Sequence, residues 1–185
     1  MVIGIRSGRV RLRPVQEEDF DFVYNLWFDA DTYRRSSWPP YKPISKEKFK
    51  EWFLERFLPK AEKGDAPSGN AYIIEVNGKS VGLCGFHVDW KRLAADIWYE
   101  ITPEERGKGI GKEAVKALVE HIFKEYPVEI VEAETQSDNV PSIRLLESLG
   151  FTRTGYDKYA YMVKGRYKSS VKYGIRRKKW DRSPK

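Results

Sequence analysis

The sequence predicts a mixed α/β domain, a single and mostly antiparallel sheet flanked by helices. Two observations carry this. Strand candidates come in pairs joined by turn dipeptides, Asn77-Gly78 and Lys164-Gly165. Single amphipathic helices separate the later strands, the pattern of layered α/β folds. The 185 residues are enough to bury one continuous core, and no internal repeat or linker divides them.

The elements follow in order. Val10-Arg-Leu-Arg13 alternates like a strand and stops at Pro14. Phe20, Val23, Tyr24 and Trp27 then make one helical face, behind a first turn of Glu17, Glu18 and Asp19, where the helix dipole favours acids. Asp29 to Ile44 holds Trp38-Pro-Pro-Tyr41 and Pro43, and proline argues for irregular chain there. Ser45 suits the cap of a second helix with Phe49, Trp52, Phe53 and Phe57 on one face, ending near Pro59. A Gly/Pro/Ser loop is expected from Lys60 to Asn70. Three strands are predicted next, Ala71–Val76, Ser80–Trp90 and Ala94–Ile101. A helix carries Ile110, Ala114, Ala117, Leu118, His121 and Ile122, and Val128–Ala133 reads as a fifth strand. Asn139 caps a helix bearing Ile143, Leu146 and Leu149, with Gly150 at the left-handed C-cap. Tyr156–Val163 and Arg166–Ile175 close the chain as a hairpin.

A hydrophobic share of 41% and a charged share of 33% are those of a globular protein. No apolar run approaches the roughly 18 residues of a membrane span, and Met1 to Arg6 does not read as a signal peptide. Cys84 is the only cysteine, so no internal disulfide forms; with two isolated histidines, no metal site is expected, and a reducing cytoplasm is the expected location. The net charge of +7 is unevenly placed. Residues 164–185 hold ten Lys or Arg against Asp181, a balance of +9, which leaves −2 for the rest. That end either attracts anionic partners such as RNA or a ribosome, or is a solvated edge strand with a basic tail. The tail is placed at 179–185, after a domain of 1–178.

The most informative stretch is Ile101-Thr-Pro-Glu-Glu-Arg-Gly-Lys-Gly-Ile-Gly-Lys112. Alternating glycines open a helix, so backbone amides and the positive end of the helix dipole can meet a pyrophosphate, with Arg106, Lys108 and Lys112 adding charge. A nucleotide P-loop is excluded because Glu113 follows Gly111-Lys112. Gly109-x-Gly111-x-x-Ala114 fits the spacing of a dinucleotide fingerprint, with Glu132 and Glu134 about 20 residues on. That motif, however, turns straight from strand to helix among parallel strands, whereas Thr102–Lys108 intervenes here and the preceding strands are hairpin-connected.

Arg106-Gly-x-Gly-Ile-Gly111 before a helix resembles the coenzyme A loop of the GNAT acetyltransferase superfamily. Asn139-Val-Pro-Ser-Ile-Arg-Leu-Leu-Glu-Ser-Leu-Gly-Phe151 is similar to its second signature. Val10-Arg-Leu-Arg-Pro-Val-Gln-Glu-Glu-Asp19 and the closing hairpin resemble the RimJ/RimL-like branch, which acetylates ribosomal-protein N-termini. The resemblance implies a sheet splayed between the fourth and fifth strands and transfer of acetyl from acetyl-CoA to an amine in a ternary complex. It implies that amides of Gly107, Lys108, Gly109, Ile110, Gly111 and Lys112 hold pyrophosphate, with backbone near Glu100 and Ile101 pairing with the pantetheine arm. It places Asn139 on the pantetheine, with Ser142 near it. It makes Glu134 the candidate general base, with Asp96 and Glu100, on one face of the fourth strand, as alternatives. Some members carry a tyrosine acid seven residues after the asparagine; that position is Leu146 here, so either the thiolate leaves without such help or a hairpin tyrosine, Tyr159 or Tyr161, substitutes. Cys84 and His87 read as core or strand-face residues. The acceptor, a protein N-terminus or a small amine, is expected to be bordered by Asp29 to Ile44 and the last hairpin, in a monomer or homodimer.

Overall fold

Asn77 and Gly78 both take positive φ, 52° and 78°, and turn strand β3 (Asn70–Val76) into β4 (Lys79–Asp89) as the dipeptide requires. This computed structural model describes residues 4–35, 44–58, 70–163 and 165–182. The other strands are β1 (Ile5–Ser7), β2 (Val10–Pro14), β5 (Ala94–Ile101), β6 (Ile130–Gln136), β7 (Thr152–Val163) and β8 (Arg166–Arg176). The helices are α1 (Phe20–Phe28), α2 (Ala30–Arg35), α3 (Lys46–Trp52, continued by a π-helical turn Phe53–Phe57), α4 (Ile110–Glu125), α5 (Val140–Ser148) and α6 (Arg177–Trp180). The strands form one sheet in the order β1-β2-β3-β4-β5-β6-β8-β7, antiparallel at every pair except β5 and β6.

Alternation along the strands sends two sets of side chains to two layers. On one face Leu12, Ile74, Phe86, Val131 and Ile175 pack against Val115, Leu118 and Ile122 of α4 and Leu146 of α5. On the other, Ile73 and Leu83 meet Val23 and Trp27 of α1 and Phe49 and Phe53 at α3. The Val10–Asp19 signature is explained by burial. Arg13 donates two bonds to the Asp19 carboxylate, 2.6 and 2.7 Å, and a third to Glu75 at 2.7 Å. These side chains are mostly out of water, so losing one partner would strand a charge, at a cost of about 3–5 kcal/mol. The network ties β2 and β3 to the start of α1.

Four details differ from the sequence expectation. Ile5–Ser7 is an additional strand, turned through Gly8 at φ 55°. Ala30–Arg35 is helical, because the prolines that argued against it lie further on, and Asp29 Oδ1 accepts from the amides of Asp31 and Thr32 at 2.9 and 3.0 Å. Strand β3 begins at Asn70, where the loop was expected to end. Strand β8 is an interior strand between β6 and β7, not a solvated edge, because Val171, Tyr173 and Ile175 have to be buried. The Trp38–Tyr41 and Pro43 segment, most of the Lys60–Asn70 loop, and Lys164 of the final turn lie outside the described residues. The boundary expected at 178 falls within α6, whose Trp180 packs on Phe123.

Candidate active site

The β5–β6 ladder stops at Ile97 and Ala133. Beyond it β5 stays paired to β4 as far as Ile101, and β6 stays paired to β8 as far as Gln136. Each strand follows its outer neighbour, so the two part and the sheet opens. A cavity of about 1120 Å³ occupies the parting and reaches both faces of the sheet.

One end is built mainly of backbone. Gly107 and Gly109 have φ of 75° and 81°, a conformation that strains any L side chain. Gly109 is the N-cap of α4 and no side chain caps that helix, which leaves the first-turn N–H groups available to an anion. A Cβ on Gly111 would lie 3.1 Å from Leu145 Cδ1, so α4 approaches α5 closely there. Gly107, Gly109, Gly111, Lys112, Ile101, Asn139 and Ser142 all line this end. Asn139 Oδ1 accepts from the Ser142 amide at 3.4 Å, the expected cap, and its Nδ2 donates to Thr135 Oγ1 at 3.2 Å. Ser142 Oγ and the Tyr99 hydroxyl share a hydrogen bond of 2.8 Å, and burial pushes the Tyr99 phenol up to about 12.

The charges expected around the loop are placed differently from one another. Lys112 faces the cavity. Lys108 pairs with Glu105 at 3.0 Å, and its carbonyl accepts from Arg9; Ile110 is buried in the core. The Arg106 guanidinium donates to the Ile101 carbonyl at 2.9 Å, to Thr32 Oγ1 at 2.8 Å and to Asp31. It thereby fastens α2 to the end of β5, a role invisible while residues 29–44 read as irregular chain.

The other end is built of side chains. Glu100 and Glu134 face the cavity; Asp96 does not line it. Asp96 sits across from His87 on one side and Glu132 on the other. Burial and the Glu132 charge raise its pKa, against the opposing pull of Arg92 and His87. Tyr161 faces the cavity, with its phenol pushed up to about 12 by burial and then by Glu134. Tyr159 is 60% exposed and packs on Tyr167, so of the two hairpin tyrosines Tyr161 is the one in the site. Leu146 is fully buried. Cys84 is buried in the core, as expected, with its thiol pushed up by burial. His87, read as a strand-face residue, turns out to line the cavity.

Sequence reasoning missed most of the wall at this end. Trp27, Trp52, Phe57 and Trp98 line it, with Arg56 beside them. The three helical aromatics were legible only as an apolar face, since helical period does not tell a core wall from a cavity wall. The basic C-terminal stretch is partly neutralised within the fold. Lys172 pairs with Asp157 at 2.6 Å, Lys168 pairs with Asp138, and Arg177 donates to the carbonyls of Phe123, Tyr126 and Val128 where α4 ends.

Comparison with known proteins agrees with this architecture. The acetyltransferase (GNAT) domain model matches residues 9–152, and the chain belongs to that family. It is 27% identical over 161 residues to an N-acetyltransferase, p20, of Bacillus licheniformis, covering 86% of this chain and 88% of that one. It is 22% identical over 174 residues to the spermidine N(1)-acetyltransferase of Escherichia coli K12, covering 90% and 85%. The fold is shared with RimL, the ribosomal L7/L12 α-N-protein acetyltransferase solved with coenzyme A, at a TM-score of 0.82, 21% identity and 94% and 97% coverage. It is shared equally with the spermidine N-acetyltransferase of Vibrio cholerae solved with coenzyme A and spermine, at a TM-score of 0.80, 19% identity and 93% and 98% coverage. The protein is thus an acyltransferase of the N-acetyltransferase kind.

Proposed function

We propose that this protein transfers acetyl from acetyl-CoA directly to a primary amine in a ternary complex, with a peptide α-amine as acceptor. The observation that carries it is one cavity through a parted sheet, with an anion-accepting glycine loop at one end and two carboxylates at the other. Coenzyme A suits the first end: the loop has no side chain in the way at Gly107 or Gly109, and Lys112 supplies charge. Amides of residues 107–112 hold the pyrophosphate, the backbone near Glu100 and Ile101 pairs with the pantetheine arm, and Asn139 hydrogen-bonds that arm.

The amine arrives largely as an ammonium, since its free pKa is about 8 for an α-amine and about 10.4 for a lysine type. Glu134 takes that proton, directly or through water. The nitrogen lone pair attacks the thioester carbonyl, and N–H donors of β5 steady the oxyanion. The adduct nitrogen sheds its second proton to water, the C–S bond breaks as the oxyanion collapses to the amide carbonyl, and coenzyme A leaves as thiolate. Tyr161, protonated at neutral pH, lies at the right end of the cavity to return a proton to sulfur. Glu100 is the alternative base; Asp96 would act only through intervening groups. The lone, buried Cys84 supports a cytoplasmic setting.

Calorimetry with acetyl-CoA tests the donor half, with Gly109→Glu as control. Absence of binding by the wild type at millimolar ligand would remove the proposal. N-terminal peptides assayed beside spermidine and single amino acids test the acceptor, and faster turnover of spermidine than of every peptide would reassign it.

A further inference from the structure

The acceptor end of the cavity has its own chemistry. Gly85 has no side chain where the Trp98 indole crosses β4: a Cβ there would lie 2.4 Å from Trp98 Cζ2. The Trp98 indole therefore covers Gly85 and serves as the floor. Trp27 stands over it with ring centroids 6.4 Å apart, and Trp52 and Phe57 adjoin Trp27 at 5.9 and 5.4 Å. All four line the cavity. The carboxylates beside them, Glu100 and Glu134, lie at the parting of the strands, where the amine must react. Arg56 contributes a positive charge on the aromatic side.

This distribution selects among amines. A chain bearing several ammonium groups would place its remote charges toward Arg56 and away from the two carboxylates. A single ammonium on an apolar, planar body satisfies both halves: the charge faces Glu134, and the body stacks among rings in offset or edge-to-face contact. We infer that the acceptor is a primary amine carried two or three atoms from an aromatic ring, either as the first residue of a peptide or as a free arylalkylamine. This rests on the acetyl-transfer reading above, and it narrows the acceptor to a side-chain class.

The test uses the full chain and four probes: 2-phenylethylamine, a tetrapeptide beginning with Phe, the same peptide beginning with Ser, and spermidine. Tryptophan fluorescence reads binding without acetyl-CoA, and coenzyme A release reads turnover. The Phe peptide should exceed the Ser peptide in kcat/KM by at least about tenfold, the scale on which apolar pockets discriminate. Trp52→Ala should reduce the Phe-over-Ser preference in kcat/KM about tenfold, while Trp52→Phe keeps most of that preference. Turnover of 2-phenylethylamine matching the Phe peptide assigns a small-molecule acceptor; turnover of the Phe peptide alone assigns a polypeptide. Equal or faster turnover of the Ser peptide or spermidine overturns the inference while leaving acetyl transfer intact. Binding of the aromatic probes without transfer to any amine keeps the pocket chemistry and removes the reaction. Failure of the aromatic probes to perturb fluorescence, in protein that binds acetyl-CoA by calorimetry, overturns the inference directly.

Discussion

The two ends of the cavity are made of different material. The glycine-loop end presents backbone amides, and its specificity lies in the absence of side chains at Gly107, Gly109 and Gly111. The far end presents side chains: indoles from α1, α3 and β5, carboxylates from β5 and β6, and a phenol from β7. A backbone site tolerates change in the rest of the protein as long as the turn persists. A side-chain site is retuned by single substitutions, which lets one frame hold RimL-like and spermidine-acetylating relatives at similar TM-scores.

Substitutions at the two ends should therefore fail in different ways. The largest effect is expected for Glu134→Gln: turnover falls about 10²- to 10⁴-fold with acetyl-CoA affinity kept. Raising the pH should restore part of the rate, because more amine is then already neutral. Unchanged turnover at neutral pH would move the base to Glu100. At the backbone end, Gly109→Glu should abolish measurable acetyl-CoA binding, since it forces a carboxylate into an anion site at φ 81°. A fold kept intact by circular dichroism would show that the loss is local.

Smaller effects test how the ends communicate. Asp31→Asn weakens the Arg106 latch between α2 and β5, so the acceptor KM should rise about tenfold, the value of one charge-assisted hydrogen bond, with acetyl-CoA affinity little changed. A rise in acetyl-CoA Kd instead would show that Arg106 serves the loop. Asn139→Ala should weaken acetyl-CoA binding and lower stability by about 1 kcal/mol through the lost cap, measurable by urea denaturation. The smallest effect belongs to Asp96→Asn. Burial raises the Asp96 pKa in the fold, so its proton-linked stabilisation is complete below the unfolded value near 3.9 and is lost as pH rises through the folded value. At neutral pH the charged side chain is then a net cost. Tm should rise slightly in the variant at pH 7, with the gain shrinking toward pH 4.

Local chemistry made much of this protein legible. The Asn77-Gly78 turn, the Ser45 and Asn139 caps and the left-handed Gly150 are each set by a few adjacent residues, and each is realised in the fold. So is the glycine run, because its conformation needs only a turn and a helix start. The strand parting at Ile97 and Ala133 came from resemblance, since no residue there announces it.

What only the tertiary structure decided is what distant segments do to one another. The insertion of β8 between β6 and β7 depends on which strand needs two neighbours to bury its face. Arg106 lines the cavity beside the glycine loop and is also a latch, because α2 brings Asp31 and Thr32 to it from 75 and 74 residues away. Trp27, Trp52 and Trp98 follow ordinary helix and strand periods, and they become one wall because Gly85 leaves room for an indole. The sequence alone determined turns, caps and the glycine loop, whose physics acts over a few residues. The acceptor wall formed from side chains whose separation in the chain only packing could close.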